Sequence, residues 1–525
     1  MRALRCHAVL RRLCSTLSRS TNTMAITVAC MMATFLAALD TTVVGAAMPT
    51  IVGALGGLAL YSWVFSAYLL TSTTTVPVYG RLADMYGRKP VFMVGASLFI
   101  LGSALCGAAT SMEQLILFRT LQGLGAGGVL PISITMVGDL YPIRQRAQIQ
   151  GLFSAIWGIS ALMGPAVGGL IVDRIEWRWA FYLNLPFGLL AMLLFGLYLH
   201  ETIERRRRTI DYGGAIALTV AVTLLLLALL ENGQPGSGML LPPWVLLATS
   251  LLLFGLFLQH ESRTPEPILP LDLFGRRVLS VSYAANFLMG ATLFGFSSFV
   301  PTFVQGVLSG TALNAGAVLA PMSLGWPVGS TAGGRLILRY GYRPIVLAGA
   351  AFILAGSLMM LAVDRTTGQP FLMMVMVVVG LGMGLCGTSF LVAIQSSVGW
   401  EQRGIATASI QFFQSIGGAV GVAIMGAMMN SSLSQGLRGL TDDQATGPDG
   451  ASQLSSASVI LDPVARSSLP GGLLEGMQSA LASSLHTVFV AVAIMSALGF
   501  ILAFLFPGGS VEEHAGGGRS GGAGS

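Results

Sequence analysis

Long apolar segments recur along most of the 525-residue chain, and this pattern restricts the fold more than any other sequence feature. Hydrophobic residues make up 54% of the chain and charged residues only 10%, whereas soluble proteins carry about 25% charged residues. A helix of about 20 apolar residues spans the hydrocarbon core of a bilayer. The sequence therefore predicts an all-α integral membrane protein with fourteen transmembrane helices. The predicted spans are residues 25–48, 61–79, 91–109, 115–137, 149–172, 180–200, 212–230, 244–259, 278–300, 313–333, 345–363, 371–394, 404–428 and 484–506.

The positions of Lys and Arg predict how these helices are oriented. With the N-terminus inside, the inner loops and the two termini contain 22 of the 28 basic residues, and the outer loops contain five. Basic residues accumulate on the cytoplasmic side of membrane proteins. The asymmetry therefore predicts that both termini are cytoplasmic.

A short charged turn occurs twice and indicates an internal repeat. Gly80–Pro90 and Gly334–Pro344 are 254 residues apart and share six of eleven residues. Eight predicted spans separate the copies, whereas two six-helix halves would place six spans there, so we predict two extra central helices. The predicted divisions are a basic N-terminal extension (1–23), a first six-helix half (24–203), the two extra helices with their linkers (204–277), a second six-helix half (278–507) with a long outer loop (430–483), and a disordered tail (508–525).

The N-terminal extension allows two interpretations. Residues 1–23 contain five arginines, several Ser and Thr, and no acidic residue. This composition fits a targeting segment, and it fits equally well an upstream misread start with Met24 as the initiator. We favour the second interpretation, because the helix pattern that follows is complete without these residues.

Several function classes have no support in the sequence. The five cysteines are scattered without a metal-binding spacing, and there is no phosphate-binding loop, esterase motif or histidine cluster. The basic residues lie between apolar segments and not on a soluble basic face, so nucleic-acid binding is not expected. The sequence therefore predicts no cofactor, no metal and no enzymatic activity.

Two charged residues lie inside predicted spans, Asp40 and Arg119. Charged residues are costly in a membrane and usually mark functional sites. Asp40 lies about 22 Å from the inner end of its helix and Arg119 about 6 Å from the outer end of its helix. Both fall in the outer half of the bilayer, so we predict a coupled pair in which Asp40 binds and releases a proton. The alternative is structural: Asp40 caps a neighbouring backbone and Arg119 holds helix ends together.

The first copy of the repeated turn carries a predicted charged latch, formed by Gly80, Arg81, Asp84, Gly87 and Arg88. Glycine permits a tight turn, and Asp84 can accept hydrogen bonds from the arginines or lie at a helix N-terminus. The second copy has Leu338 in place of Asp84, so the predicted latch is one-sided. An ordinary orientation loop is the alternative interpretation.

Five motifs before residue 190 match a known family. They are Leu39–Val44 closing on Met48-Pro49, Gly80–Pro90, Arg119–Gly125, Gly164–Gly169, and Trp177–Trp179 followed by Phe181–Pro186. As a set they resemble the major facilitator superfamily, specifically its fourteen-helix drug:proton antiporter branch (the EmrB/QacA type). The chain departs from the family at Gly45, where Asn is usual, and at Ser160, where Gly is frequent.

The resemblance implies that the protein lies in the cell (inner or plasma) membrane. It also implies that the protein exports small, drug-like molecules by proton-coupled transport. It assigns proton coupling to Asp40 and Arg119, conformational switching to the 80–90 loop, and an antiporter role to Gly164, Pro165, Gly168 and Gly169. Close helix packing by small residues is the alternative for this last group. The implied partners are a small-molecule substrate, protons and the lipid bilayer, and accessory periplasmic or outer-membrane efflux components stay open.

The substrate itself is not identified by the sequence. Candidate binding residues are Gln122, Asn286 and Gln305, which lie in or beside predicted spans. The leading hypothesis is an alternating-access exporter with a central site between the two halves. A facilitator or importer of a polar metabolite on the same fold is the alternative.

Overall fold

The computed structural model describes residues 21–55, 60–201, 211–231, 242–264, 267, 269–443 and 471–508. Within these ranges, every regular element is a helix. Most of the predicted N-terminal extension (1–20), part of the linkers around the predicted extra helices, and most of the predicted tail (509–525) lie outside the described residues.

The long helices follow one another with short connections. In chain order they are α1 (Thr23–Leu55), α2 (Tyr61–Tyr86), α3 (Arg88–Gly107), α4 (Met112–Leu140), α5 (Ile143–Arg174), α6 (Asn184–Tyr198), α7 (Tyr212–Glu231), α8 (Pro243–Glu261), α9 (Arg277–Thr302), α10 (Ala312–Tyr340), α11 (Tyr342–Leu361), α12 (Gln369–Ser397), α13 (Trp400–Asp443) and α14 (Gly471–Phe504). A short helical turn, Trp179–Tyr182, precedes α6, another, Asp272–Gly275, precedes α9, and α9 continues into a π-helical turn, Phe303–Val307.

Ten helical segments in the described part of the chain are long and apolar enough to cross a membrane. Helix α7 adds a shorter apolar segment, Gly213–Leu229. In hydrocarbon, every backbone polar group needs an internal partner, and a helix provides one along its whole length. The predicted all-α membrane architecture is thus confirmed, whereas the count of fourteen spans stays a prediction.

The helices form two groups with the same internal packing. In the first group α1 packs on α5, α2 on α4, and α3 on α4; in the second, α9 packs on α13, α10 on α12, and α11 on α12. The groups meet through α2 against α13 and through α5 against α10. Helices α7 and α8 pack on each other, and α7 also touches α2 and α13.

The repeated turn has the same backbone form in both groups. Gly87 separates α2 from α3 with a φ of 98°, and Gly341 separates α10 from α11 with a φ of 80°. The Cβ atom of any other residue makes these positive φ values unfavourable, so glycine is required at both turns. The predicted tight turn therefore occurs in both copies.

The structure extends two helices into the predicted outer loop at 430–483. Helix α13 continues to Asp443 and α14 begins at Gly471, so only the part between them lies outside the described residues. A hydropathy pattern detects only the apolar part of a helix. The helix can continue beyond the membrane surface where the side chains that follow still permit helical backbone. No proline interrupts either extension.

Candidate functional site

The centre of the candidate site is an ion pair between α1 and α4. Arg119 Nη1 donates to Asp40 Oδ2 at 2.6 Å, and both side chains are about 1% exposed or less. A charge that is buried without a partner is strongly destabilising, so each residue requires the other. The structure thus brings together the two charged residues that the sequence placed at similar depth.

Two amide side chains complete the surroundings of the Asp40 carboxylate. Gln122 Nε2 on α4 donates to Asp40 Oδ1 at 2.9 Å. Asn184 Nδ2, from the first residue of α6, donates to the same oxygen at 2.8 Å. Arg119, Gln122 and Asn184 therefore surround the Asp40 side chain with hydrogen-bond donors.

The guanidinium group of Arg119 is held from several sides. Arg119 Nη1 also donates to Gln122 Oε1 at 2.8 Å, and Nε donates to the Val64 carbonyl at 3.4 Å. The Tyr68 ring lies 4.1 Å from the Arg119 Cζ atom, which is a cation–π distance. Arginine stays protonated even when buried, so it acts here as a fixed positive charge.

In the described part of the second group of helices, a methionine takes the place equivalent to Arg119. Gly102 of α3 packs against Gln122, and in the same way Gly356 of α11 packs against Val379. Met376 precedes Val379 by the spacing that separates Arg119 from Gln122. Around this equivalent place the structure has hydroxyl groups: Ser357 Oγ lies 2.7 Å from Ser496 Oγ, which lies 3.4 Å from Thr292 Oγ1. The arginine of the ion pair therefore has an apolar counterpart in the second group.

The predicted latch residue Asp84 joins the two groups of helices. Its carboxylate accepts hydrogen bonds from the backbone N–H of Gly404 at 2.8 Å and of Ile405 at 2.7 Å. These amides belong to the second turn of α13, close to the N-terminus of that helix. Arg88 Nη1 forms an ion pair with the same carboxylate at 2.7 Å.

Arg88 and two residues that the sequence analysis missed extend this junction. Asp139, at the end of α4, accepts from Arg88 Nε at 3.0 Å and from Arg403 Nη1 at 2.6 Å. Arg88 also donates to the Trp400 carbonyl at 2.9 Å. Acidic and basic residues at helix ends are common on protein surfaces, so only their convergence marks Asp139 and Arg403 as part of the junction.

Burial raises the pKa of the Asp84 carboxyl to about 6, although Arg88 and the two α13 amides act in the opposite direction. Asp84 lies beyond the predicted span 61–79. A carboxyl group with this pKa is still mostly ionised at neutral pH, so α13 receives an anion. The raised pKa means that the ion pair and the hydrogen bonds do not fully offset the cost of desolvating this carboxylate.

Two further residues of the predicted latch, Gly80 and Arg81, lie near the end of α2, and Lys89 follows in α3. A Cβ atom on Gly80 would lie 2.5 Å from the Ala408 side chain, so glycine lets α2 approach α13. Arg81 is half-buried at the end of α2. The sole lysine, Lys89, donates to the carbonyls of Gly196 at 2.6 Å and Leu199 at 2.9 Å, which ties α3 to the C-terminus of α6.

Gly164 lies where α5 crosses α1, and the other residues of its motif follow it in α5. A Cβ atom on Gly164 would be 1.9 Å from Thr42 Oγ1 and 2.4 Å from Thr42 Cβ. Thr42 Oγ1 also contacts the Ser160 carbonyl of α5 at 3.3 Å. The close approach accounts for the glycine by packing and brings α5 against the helix that carries Asp40.

We expect Gly164→Ala to destabilise the protein by about 1–3 kcal/mol, because the added methyl group overpacks the crossing of α1 and α5. The measurement is the thermal stability of the purified protein in detergent. Gly45→Ala is the matched control, since no atom lies within 4 Å of a Cβ at Gly45. Equal stability of the two variants would contradict the packing argument.

The candidate substrate residues Gln122, Asn286 and Gln305 lie on three different elements, α4, α9 and the π-helical turn. Gln122 is engaged with Asp40 and Arg119. Asn286 is buried in α9 and donates to the Ser282 carbonyl at 2.9 Å. Gln305 lies in the π-helical turn and is half-buried. Within the described residues, no group of three or more His, Cys, Asp or Glu side chains could hold a metal ion.

The described residues form an all-α protein with helices that can cross a membrane and with a buried ion pair between two of them. Comparisons with known proteins show that this class of protein is a multi-pass membrane transporter. The sequence profile of the Major Facilitator Superfamily matches residues 30–422. Multidrug transporter protein MdtP of Bacillus subtilis (strain 168) is 37% identical over 505 residues, covering 91% of this chain and 92% of the relative. Multidrug resistance protein 3 of the same strain is 32% identical, covering 91% and 94%. The chain therefore belongs to the Major Facilitator Superfamily.

Solved structures show the same fold at low sequence identity. The human organic anion transporter MFSD10 (TETRAN) has a TM-score of 0.61 at 15% identity, covering 92% of this chain and 99% of that one. The proton:xylose symporter XylE has a TM-score of 0.59 at 12% identity, covering 93% and 97%. The superfamily assignment agrees with the prediction of a transporter and not an enzyme.

Proposed function

We propose that this protein is a secondary active exporter of small, lipophilic or drug-like molecules, driven by proton influx. The observation that carries the proposal is the buried Asp40–Arg119 ion pair, 2.6 Å apart. A carboxylate in a membrane helix is costly and is kept where it serves transport. The multidrug transporters among the relatives support a drug-like substrate.

In this proposal Asp40 is the proton carrier and Arg119 is a fixed counter-charge. Contact with Arg119 and the two amides favours the ionised carboxylate, so uptake of a proton weakens those contacts. A proton from the outer side then favours an arrangement in which α1 and α4 move apart. Release of the proton to the cytoplasm restores the ion pair and resets the cycle.

Alternating access follows from the junction at the 80–90 loop. The closed contacts of Asp84 with α13 lie on the side that the basic residues assign to the cytoplasm. We propose that this arrangement faces outward, and that separation of α2 from α13 opens the cytoplasmic side. Both termini are cytoplasmic in this proposal, and the protein resides in the cell membrane.

The proposed architecture has fourteen spans, with six-helix halves at 24–203 and 278–507 and two extra helices within 204–277. The matching packing of the two groups and the shared glycine turns support it. A Cβ atom on Gly95 would lie 3.2 Å from the Gly125 carbonyl oxygen, and a Cβ atom on Gly349 would lie 2.9 Å from the Gly382 carbonyl oxygen. The same close helix approach therefore occurs in both groups. The pairing of α7 with α8 supports the extra helices.

The test is transport by the purified protein in proteoliposomes with an imposed pH gradient, screened against lipophilic cations and neutral drugs. We expect accumulation that requires the gradient, is abolished by a protonophore, and is lost in Asp40→Asn. Equilibration without dependence on the gradient would instead indicate a facilitator. Accumulation in the same direction as proton movement would indicate an importer, and either result would overturn the proposal.

A further inference from the structure

We propose that Asn184 is a positioning residue for Asp40, and that Ser103 and the turn Trp179–Tyr182 fix its side chain as a hydrogen-bond donor. This inference rests on the proposed proton coupling at Asp40. It gives a physical role to the segment Trp177–Pro186, which the sequence analysis noted only as part of a family motif.

The hydrogen bonds around Ser103 determine which way the Asn184 amide points. Ser103 Oγ donates its single proton to the Phe181 carbonyl at 2.8 Å. The same Oγ atom can then only accept, and it accepts from Asn184 Nδ2 at 3.0 Å. The NH₂ group of Asn184 therefore faces Ser103 with one hydrogen and Asp40 with the other.

The local fold places the Phe181 carbonyl where Ser103 needs it. The short helical turn ends at Tyr182, and Asn184 begins α6 directly after Leu183. Trp177 and Phe181 are buried, at 4% and 0% exposure, and pack edge to face with ring centroids 6.3 Å apart. These rings anchor the turn, so the backbone carbonyl and the amide meet Ser103 from the same side.

The second amide at Asp40 is also committed as a donor. Gln122 Oε1 accepts from Arg119 Nη1 at 2.8 Å and from Cys106 Sγ at 3.7 Å, which leaves Nε2 directed at Asp40 Oδ1. Arg119 and Gln122 of α4 and Asn184 of α6 thus all contact the carboxylate as donors. Protonation removes the negative charge that these donors face and adds a donor to the carboxyl group, so it weakens the contacts.

Asn184 consequently links the protonation of Asp40 to the position of α6. Among the described residues, the titratable or charged groups that interact electrostatically with Asp40 are Arg119 of α4, Cys106 of α3 and Tyr68 of α2. None of these three is on α6. The neutral donor from α6 adds to the fixed charge from α4. Removal of the donor should let Asp40 take up its proton at a higher pH.

The experiment is an infrared pH titration of the purified full-length protein, with the protonated carboxyl band of Asp40 assigned by its loss in Asp40→Asn. A hydrogen bond to a charged group stabilises it enough to move a titration by about one to two pH units. We expect Asn184→Ala to raise the midpoint by this amount. We expect Asn184→Asp, which is nearly isosteric but replaces the donor by an acid, to give two coupled steps.

Two serines provide matched variants. Ser103→Ala frees the Asn184 amide to rotate and should raise the midpoint by less than Asn184→Ala does. Ser357→Ala removes a buried hydroxyl from the hydrogen-bonded Ser357–Ser496 pair in the second group and should leave the midpoint unchanged. If Asn184→Ala does not fold, the difference between the two serine variants decides.

The outcomes separate this inference from the proposed function. An unchanged midpoint in folded Asn184→Ala, or equal midpoints in the two serine variants, overturns the positioning role. The titration does not depend on transport, so raised midpoints with transport that ignores the pH gradient would uphold the role of Asn184 and overturn proton-coupled export.

Discussion

Arg119→Met is expected to destabilise the protein by about 3–5 kcal/mol and to abolish transport driven by a pH gradient. Methionine fills much of the same volume but leaves the Asp40 carboxylate buried without its positive partner. Asp40 is about 1% exposed, so water cannot replace the lost interaction. Thermal unfolding in detergent and uptake in proteoliposomes measure the two effects.

The double variant Asp40→Asn/Arg119→Met separates stability from function. It removes both charges, so we expect it to recover most of the stability, because replacing a buried pair by neutral groups is far less costly than breaking it. Gradient-driven transport should stay absent, since no group remains to carry the proton. Recovery of coupled transport in the double variant would exclude Asp40 as the carrier.

Asp84→Asn is expected to open the junction between α2 and α13. The carboxylate accepts hydrogen bonds from Gly404 and Ile405 with both oxygens, and an Asn side chain can accept with only one. Loss of a hydrogen bond to a charged group costs about 1.5–3 kcal/mol, which changes the ratio of closed to open molecules by roughly 10- to 100-fold. Transport should fall while the protein still inserts into the membrane.

Spin labels at Tyr86 and Gly399 would report the opening. Both residues are exposed and lie at the facing ends of α2 and α13, so Asp84→Asn should shift their distance distribution to longer values. Leu338→Asn is the matched control in the second copy of the turn, where Leu338 is 42% exposed. A similar shift in the control variant would show that the latch is not one-sided.

The charged centre was predictable because a charge in an apolar segment is rare and costly. Asp40 and Arg119 are 79 residues apart in the chain, yet their depths followed from the helix rise and the orientation of each span. The repeat, the glycine turn and Asp84 as an acceptor were also visible in the sequence. The partner of Asp84 was not, since the amides of α13 are 320 residues away.

The ends of α13 and α14 show a different limit of prediction from the sequence. Hydropathy detects the part of a helix that lipid surrounds, so it ended α13 at 428 and began α14 at 484. The structure continues α13 to Asp443 and begins α14 at Gly471. Backbone hydrogen bonds and neighbouring helices decide those ends, and neither has a strong hydropathy signal.

The sequence by itself determined that the chain enters the membrane and on which side of the predicted spans the basic residues lie. It also determined which two charged residues, Asp40 and Arg119, lie within apolar spans. These properties depend on the free energy of transferring each segment from water, which is nearly additive along the chain. The tertiary structure alone decided that Asn184 donates to both Asp40 and Ser103. It also decided that Asp139 forms ion pairs with both Arg88 and Arg403. A polar residue near a helix end has water as an adequate partner in the unfolded chain, so only the packing of distant helices determines which partner replaces that water.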